Sequence, residues 1–159
     1  NLENKIQILQ PETITSLISN LISLKPKPDF LIVAAYAKIL PLEVINFPKL
    51  GAIGVHPSLL PKYRGPTPIQ SVILAGEAET GVTLYAMDEK VDHGKIISKV
   101  QAHISNLDNY IDLSRRLAEL AAKLLIDTLP KFIRGEIQLK AQDEKQATFT
   151  KKFMSDAGP

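Results

Sequence analysis

Leu50-Gly51-Ala52-Ile53-Gly54-Val55-His56-Pro57-Ser58-Leu59-Leu60-Pro61 is the stretch on which the fold turns. Its first half, 50–55, is apolar apart from two glycines. That is the pattern of a short strand buried on both faces. The strand runs out into His56 and then into a turn where two leucines stand between polar and proline punctuation. Chemistry is expected at this junction, because in α/β domains ligands sit beyond the carboxyl ends of strands.

The elements on either side support that setting. Residues 29–36 are a second continuous apolar run, opened by Pro28 and Asp29, and read as another strand buried on both faces. Before it, 11–25 reads as a helix, with Ile14, Leu17, Ile18, Leu21 and Ile22 on one face. A short helix is expected over 39–47 with Pro41 in its first turn. Another is expected over 66–75, with Pro66 or Pro68 near its start and Gly76 as its stop. Residues 80–87 and 95–104 read as strands. The longest helix is expected over 110–133, with Leu113, Leu117, Leu120, Leu124, Leu125, Leu129 and Phe132 as its core stripe and Gly135 after its end. Strands interleaved with helices imply an α/β domain. The segment 140–159 is more polar and is expected to end as an edge strand or linker.

Composition narrows the function. The chain has 159 residues, of which 45% are hydrophobic and only 6% aromatic, with no Trp. It suits one domain with an aliphatic core, which favours helices packed on a sheet. The 19 basic and 17 acidic residues leave a net charge of +2, too balanced to argue for nucleic acid by charge alone. The absence of Cys excludes disulfides, thiolate catalysis and Cys-based zinc sites. No metal site is expected. The longest apolar run, 30–37, is too short to cross a bilayer, and Asn1-Leu2-Glu3-Asn4-Lys5 is not a signal peptide. A soluble, cytoplasmic protein is the expectation.

Two later segments join His56 as candidates. One is Thr80-Gly81-Val82-Thr83, entering a strand; the other is Met87-Asp88-Glu89-Lys90-Val91-Asp92-His93-Gly94, a carboxylate-rich loop closed by glycine. A His at a strand end with a carboxylate on a neighbouring loop can donate a proton, accept one or stabilise an oxyanion. Asp92 could hold one protonation state of the ring. Leu59-Leu60-Pro61 could offer a flat apolar wall to a planar ligand. Each feature also has a plainer meaning. A His at a strand end is more often a structural hydrogen bonder, Leu-Leu-Pro more often core, and Asp before His-Gly more often a turn.

The stretch from Gly51 to Ile69, built around His56-Pro57-Ser58-Leu59-Leu60-Pro61-Lys62-Tyr63-Arg64-Gly65, resembles the signature of the formyltransferase superfamily that uses 10-formyltetrahydrofolate. Glu79-Thr80-Gly81-Val82-Thr83-Leu84-Tyr85-Ala86-Met87-Asp88 and Val91-Asp92-His93-Gly94 resemble its second signature at the expected separation. Three softer matches point to the branch that formylates initiator methionyl-tRNA. They are Arg64-Gly65 with Pro68-Ile69-Gln70, Ala35-Tyr36 with Ile39-Leu40-Pro41, and the tail 147–152.

The resemblance implies a three-layer, Rossmann-like fold with a mostly parallel sheet flanked by helices. It implies a catalytic domain over 1–150, lacking its N-terminal strand-helix region, and a tail, 151–159, leading to a C-terminal β-barrel absent from the chain. His56 then matches the catalytic histidine that stabilises the tetrahedral oxyanion and aids proton movement. Asp92 matches the aspartate that orients it and a proton-relaying water. Ser58, Leu59, Leu60 and Pro61 match the folate-contacting loop. Tyr36, Ile39 and the backbone around Val91 flank the pterin. One position departs from the pattern: Gly54 stands where the family carries an asparagine that donates to the formyl oxygen, and it is expected to leave room for a water in place of the amide. Restoring asparagine there is expected to raise activity. Competing expectations are an amino-sugar or purine-precursor acceptor, or a non-catalytic folate-binding module.

Overall fold

The computed structural model describes residues 8–153; the opening Asn1–Lys5 and residues 154–159 of the expected tail lie outside it. Four strands, β1 (Leu31–Ala34), β2 (Ala52–His56), β3 (Glu79–Ala86) and β4 (Ile96–His103), form one sheet in the order β1-β2-β3-β4. The helices are α1 (Ile14–Ser23), α2 (Leu42–Ile45), α3 (Pro68–Leu74) and α4 (Tyr110–Ile133), followed by a 3-10 turn at Glu144–Gln146.

The expected three layers are present, and strand parity assigns them. Successive side chains of a strand point to opposite faces. Ile53 and Val55 of β2 share a face with Val82 and Leu84 of β3, and this face packs on Leu113, Leu117, Leu124 and Leu125 of α4 and on Ile69 and Val72 of α3. Leu31, Val33 and Ala52 point the other way, against Leu17 and Leu21 of α1 and Val44 of α2. Leu113 and Leu117 are fully buried, so α4 is held by its packed stripe.

Local chemistry explains the helix ends. Asn109 Oδ1 accepts from the backbone N–H of Ile111 and Asp112, and the Asp112 carboxylate caps the Asn109 N–H, so α4 begins with a reciprocal box. Thr13 and Ser16 form the same device on α1. Proline sits at the first position of α3, where its missing N–H costs nothing. On α1, Ile22 falls off the packed face and is exposed, although its spacing placed it with the others.

Two expectations are corrected. The described sheet is not mostly parallel: β1 and β2 are parallel, but β2–β3 and β3–β4 are antiparallel. A parallel return needs a crossover of a dozen residues or more, and only 87–95 separate β3 from β4. Nor is β1 buried on both faces. It alternates half-buried and exposed because, among the described residues, α4 does not reach beyond β2 and only α1 and α2 cover it. The reverse holds for β3. The interior of that strand is buried on both faces, since the loops that follow β2 and β3 fold over the side opposite α4. Among the described residues, no helix is long and apolar enough to cross a membrane.

Candidate active site

His56 is the last residue of β2 and is 5% exposed. Its Nε2 lies 2.8 Å from the carbonyl oxygen of Tyr63. A carbonyl only accepts, so Nε2 carries the proton and donates it. The other ring nitrogen, Nδ1, faces Asp92 Oδ2 at 3.5 Å. That separation is long for a direct hydrogen bond but short for a charge interaction. Nδ1 is therefore the ring atom free to take up and return a proton, with a carboxylate beside it to stabilise the imidazolium.

Asp92 reaches His56 from the loop between β3 and β4, which turns back over the sheet. Two features of that loop make the approach possible. Asp92 itself has φ +50°, a left-handed conformation that aspartate tolerates better than most residues. Gly94 backs against the carbonyl of Ala86 so closely that any Cβ would collide with it. Both carboxylate oxygens of Asp92 are engaged: Oδ2 accepts from the backbone N–H of Gly65 at 2.7 Å, and Oδ1 accepts from the Tyr85 hydroxyl at 2.7 Å.

Tyr85 was not singled out as a site residue in the sequence. It pairs with Gly54 across β2 and β3, so the two share the face that carries His56. A Cβ on residue 54 would strike the Tyr85 ring, and its site lies 2.6 Å from the phenolic oxygen. The space expected to admit a water is thus filled by a tyrosine. Burial, reinforced by the Asp92 carboxylate, pushes the Tyr85 phenol far above its ordinary range, so it is a neutral donor.

The loop after His56 is fastened from within. Thr83 Oγ1 donates to the Ser58 carbonyl at 2.7 Å and accepts from the Leu60 N–H at 3.1 Å. Ser58 Oγ donates to the Lys62 carbonyl at 2.6 Å. Leu60 is fully buried, as is Ser58, so neither side chain can meet a ligand without moving. What this turn can present is its backbone, with half-buried Leu59 and Pro61. Leu59 in turn lies over Gly81, where a Cβ would meet it.

Tyr36 and Ile39 follow the carboxyl end of β1, which runs parallel to β2 and ends beside Val55. They therefore lie at the same end of the sheet as His56. Both are exposed, as is Val91. Tyr36 lines a small apolar cavity of about 140 Å³ with Leu17, Val33 and Leu40.

The site is closed by a segment that the sequence did not mark. Gln142 Nε2 donates to the carbonyls of Asp92 and Gly94, at 3.0 and 2.8 Å, while its Oε1 accepts from the Arg64 guanidinium. Arg64 also pairs with Glu144, and its backbone bonds to Thr148 and Thr150. The expected tail strand is reduced here to isolated bridges, Arg64 with Phe149 and Ile96 with Lys140.

Comparison with known proteins agrees with this architecture. Residues 9–129 match the family described as formyl transferase. The methionyl-tRNA formyltransferase of Chloroflexus aggregans is 42% identical over 159 residues, 99% of this chain and 51% of the relative. That of Bacillus subtilis is 44% identical over 150 residues, 93% of this chain and 47% of the relative. The chain thus spans about half the length of the curated relatives it matches. Among solved structures, HypX from Aquifex aeolicus in complex with tetrahydrofolic acid has the same fold, with a TM-score of 0.75 at 23% identity over 89% of this chain and 23% of that one.

Proposed function

Since the chain belongs to the formyl transferase family, we propose that it is the catalytic half of an enzyme that moves a formyl group from 10-formyltetrahydrofolate to the α-amine of methionine on initiator tRNA. The observation that carries the reading is the buried His56–Asp92 pair at the carboxyl end of β2. The choice of acceptor is supported by relatives named methionyl-tRNA formyltransferase at 39–45% identity.

The reaction needs little beyond proton handling and an oxyanion partner. The amine nitrogen bonds to the formyl carbon, and the carbonyl pair moves onto oxygen. Collapse of that tetrahedral species breaks the bond to the folate nitrogen, and the proton lost by the amine ends on the leaving nitrogen. His56 Nδ1 is placed to receive this proton and hand it on, while Asp92 stabilises the cationic ring between the two events. The hydrogen bond from Nε2–H to the Tyr63 carbonyl fixes the ring so that Nδ1 stays the active atom. Burial of His56 lowers the local dielectric and so strengthens its charge interaction with Asp92.

The donor would be held by the turn after His56 and by the apolar side chains of Leu59, Pro61, Tyr36, Ile39 and Val91, which are half-buried or exposed at this end of the sheet. Single-turnover formylation of methionyl-tRNA by the full-length protein tests the reading. Transfer at a rate that saturates with the folate donor is expected. A full-length protein that moves no formyl group to methionyl-tRNA sinks it.

A further inference from the structure

Gly54 and Tyr85 are directly opposed on adjacent strands, one without a side chain and the other with a long polar one. The Tyr85 ring fills the volume that a side chain at 54 would take, and its oxygen lies 2.6 Å from where a Cβ would be, within the reach of an asparagine amide from its own Cβ. From there the hydroxyl donates to Asp92 Oδ1, while the Gly65 N–H holds Oδ2. The two bonds fix both the position and the rotation of the carboxylate, and so its distance from His56 Nδ1.

We infer that Tyr85 is a positioning residue of this site, acting through Asp92 on His56, and that Gly54 is the gap in β2 that admits it. The polar group that enters this space comes from β3, across the strand pair from a position on β2 that carries no side chain. A second consequence contradicts the sequence expectation for position 54: asparagine added there alone would collide with the ring and displace the hydroxyl from Asp92, lowering activity.

The effect on rate presupposes the formyl-transfer reading; the hold on Asp92 does not. Both are therefore measured on the full-length protein. Tyr85→Phe removes one oxygen and keeps the ring. Single-turnover formylation is expected to slow about tenfold or more, the order expected for loss of a hydrogen bond to a charged group. The KM for the folate donor should stay within about twofold, since no ligand contact is lost. The imidazole ¹⁵N resonances of His56, assigned with His56→Gln and recorded at one fixed pH, should move in Tyr85→Phe but not in a Tyr110→Phe control on α4. Gly54→Asn should be slower than Tyr85→Phe, and Gly54→Asn combined with Tyr85→Leu should recover activity relative to Gly54→Asn alone. A Tyr85→Phe protein with the parent rate, or with unmoved His56 nitrogens, overturns the positioning role. Additive losses in the double variant overturn the shared space. If the parent moves no formyl group, the functional reading fails and the His56 resonances alone decide for or against Tyr85.

Discussion

Arg64 and Glu144, 80 residues apart, are joined by two hydrogen bonds of 2.6 and 3.0 Å, and the guanidinium end of the pair is buried. Arg64 follows the His56 turn by a few residues, and Glu144 lies in the 3-10 turn near the end of the described chain. Gln142 sits between them and Asp92. It accepts from Arg64 and donates to two backbone carbonyls of the Asp92 loop. The segment after α4 is thereby a clasp on both loops that form the site.

Gln142→Ala should open that clasp. It leaves the carbonyls of Asp92 and Gly94 and two Arg64 donors without their partner. Loss of partners to part-buried polar groups costs about 1–3 kcal/mol. Urea unfolding of the variant should show a lower midpoint at unchanged slope, and formyl transfer should fall because Asp92 is less firmly held. A variant with the parent midpoint would show that water replaces the amide.

Acid should loosen the same clasp. The Arg64 guanidinium beside Glu144 holds its carboxyl below the usual carboxylate range. A depressed folded value means that the pairing favours the folded clasp above the unfolded value and fades as pH falls through the folded one. Protection factors of amides 142–146 should therefore drop below about pH 4, where an ordinary glutamate takes up its proton. Glu144→Gln should reduce this pH dependence, leaving the part carried by the Asp143 carboxylate that caps the Lys145 N–H. Glu144 is half exposed, so salt should weaken the effect.

The long-range parts of the site were the ones hidden from the sequence. Helix α4 was readable from end to end because its stripe and the Gly135 that follows it are local signals. The junction of β2 with His56 was readable because a buried strand ending in a polar residue is local too. Tyr85 was not, because its meaning depends on facing Gly54, and which residues of two strands oppose one another depends on the turn geometry between them as well as on the pattern within each strand. Gln142 and Glu144 lie in a polar segment without periodicity, and their partners are about 80 residues upstream in Arg64 and about 50 upstream at Asp92 and Gly94. Leu60 follows the plainer of its two readings: the bonds to and from Thr83 draw the loop inward, and its side chain is core.

His56→Ala should remove the proton-handling group without unsettling the core. General acid–base catalysis contributes about 10²–10⁴-fold, and formyl transfer should fall by that order. Folate binding should survive, because the ring's hydrogen bond is to the Tyr63 carbonyl and its charge partner is Asp92. Single-turnover rates and donor titration separate the two effects. Undiminished transfer would move the chemistry away from the end of β2.

Alkali offers an independent check on the loop that carries the Tyr63 carbonyl. The Tyr63 hydroxyl donates to Glu77 Oε1 at 2.6 Å, and burial, aided by that carboxylate, pushes its phenol up to about 12. The unfolded phenol ionises near 10, so the unfolded chain releases this proton first as pH rises. Stability linked to Tyr63 is complete below about pH 10 and is lost as pH climbs toward about 12. Tyr85, also raised, adds to the same downward slope. Urea midpoints between those pH values should fall less steeply in Tyr63→Phe than in the parent, while at neutral pH the Tyr63→Phe backbone still offers its carbonyl to His56. Parallel slopes in the two proteins would mean that folding does not raise the Tyr63 phenol.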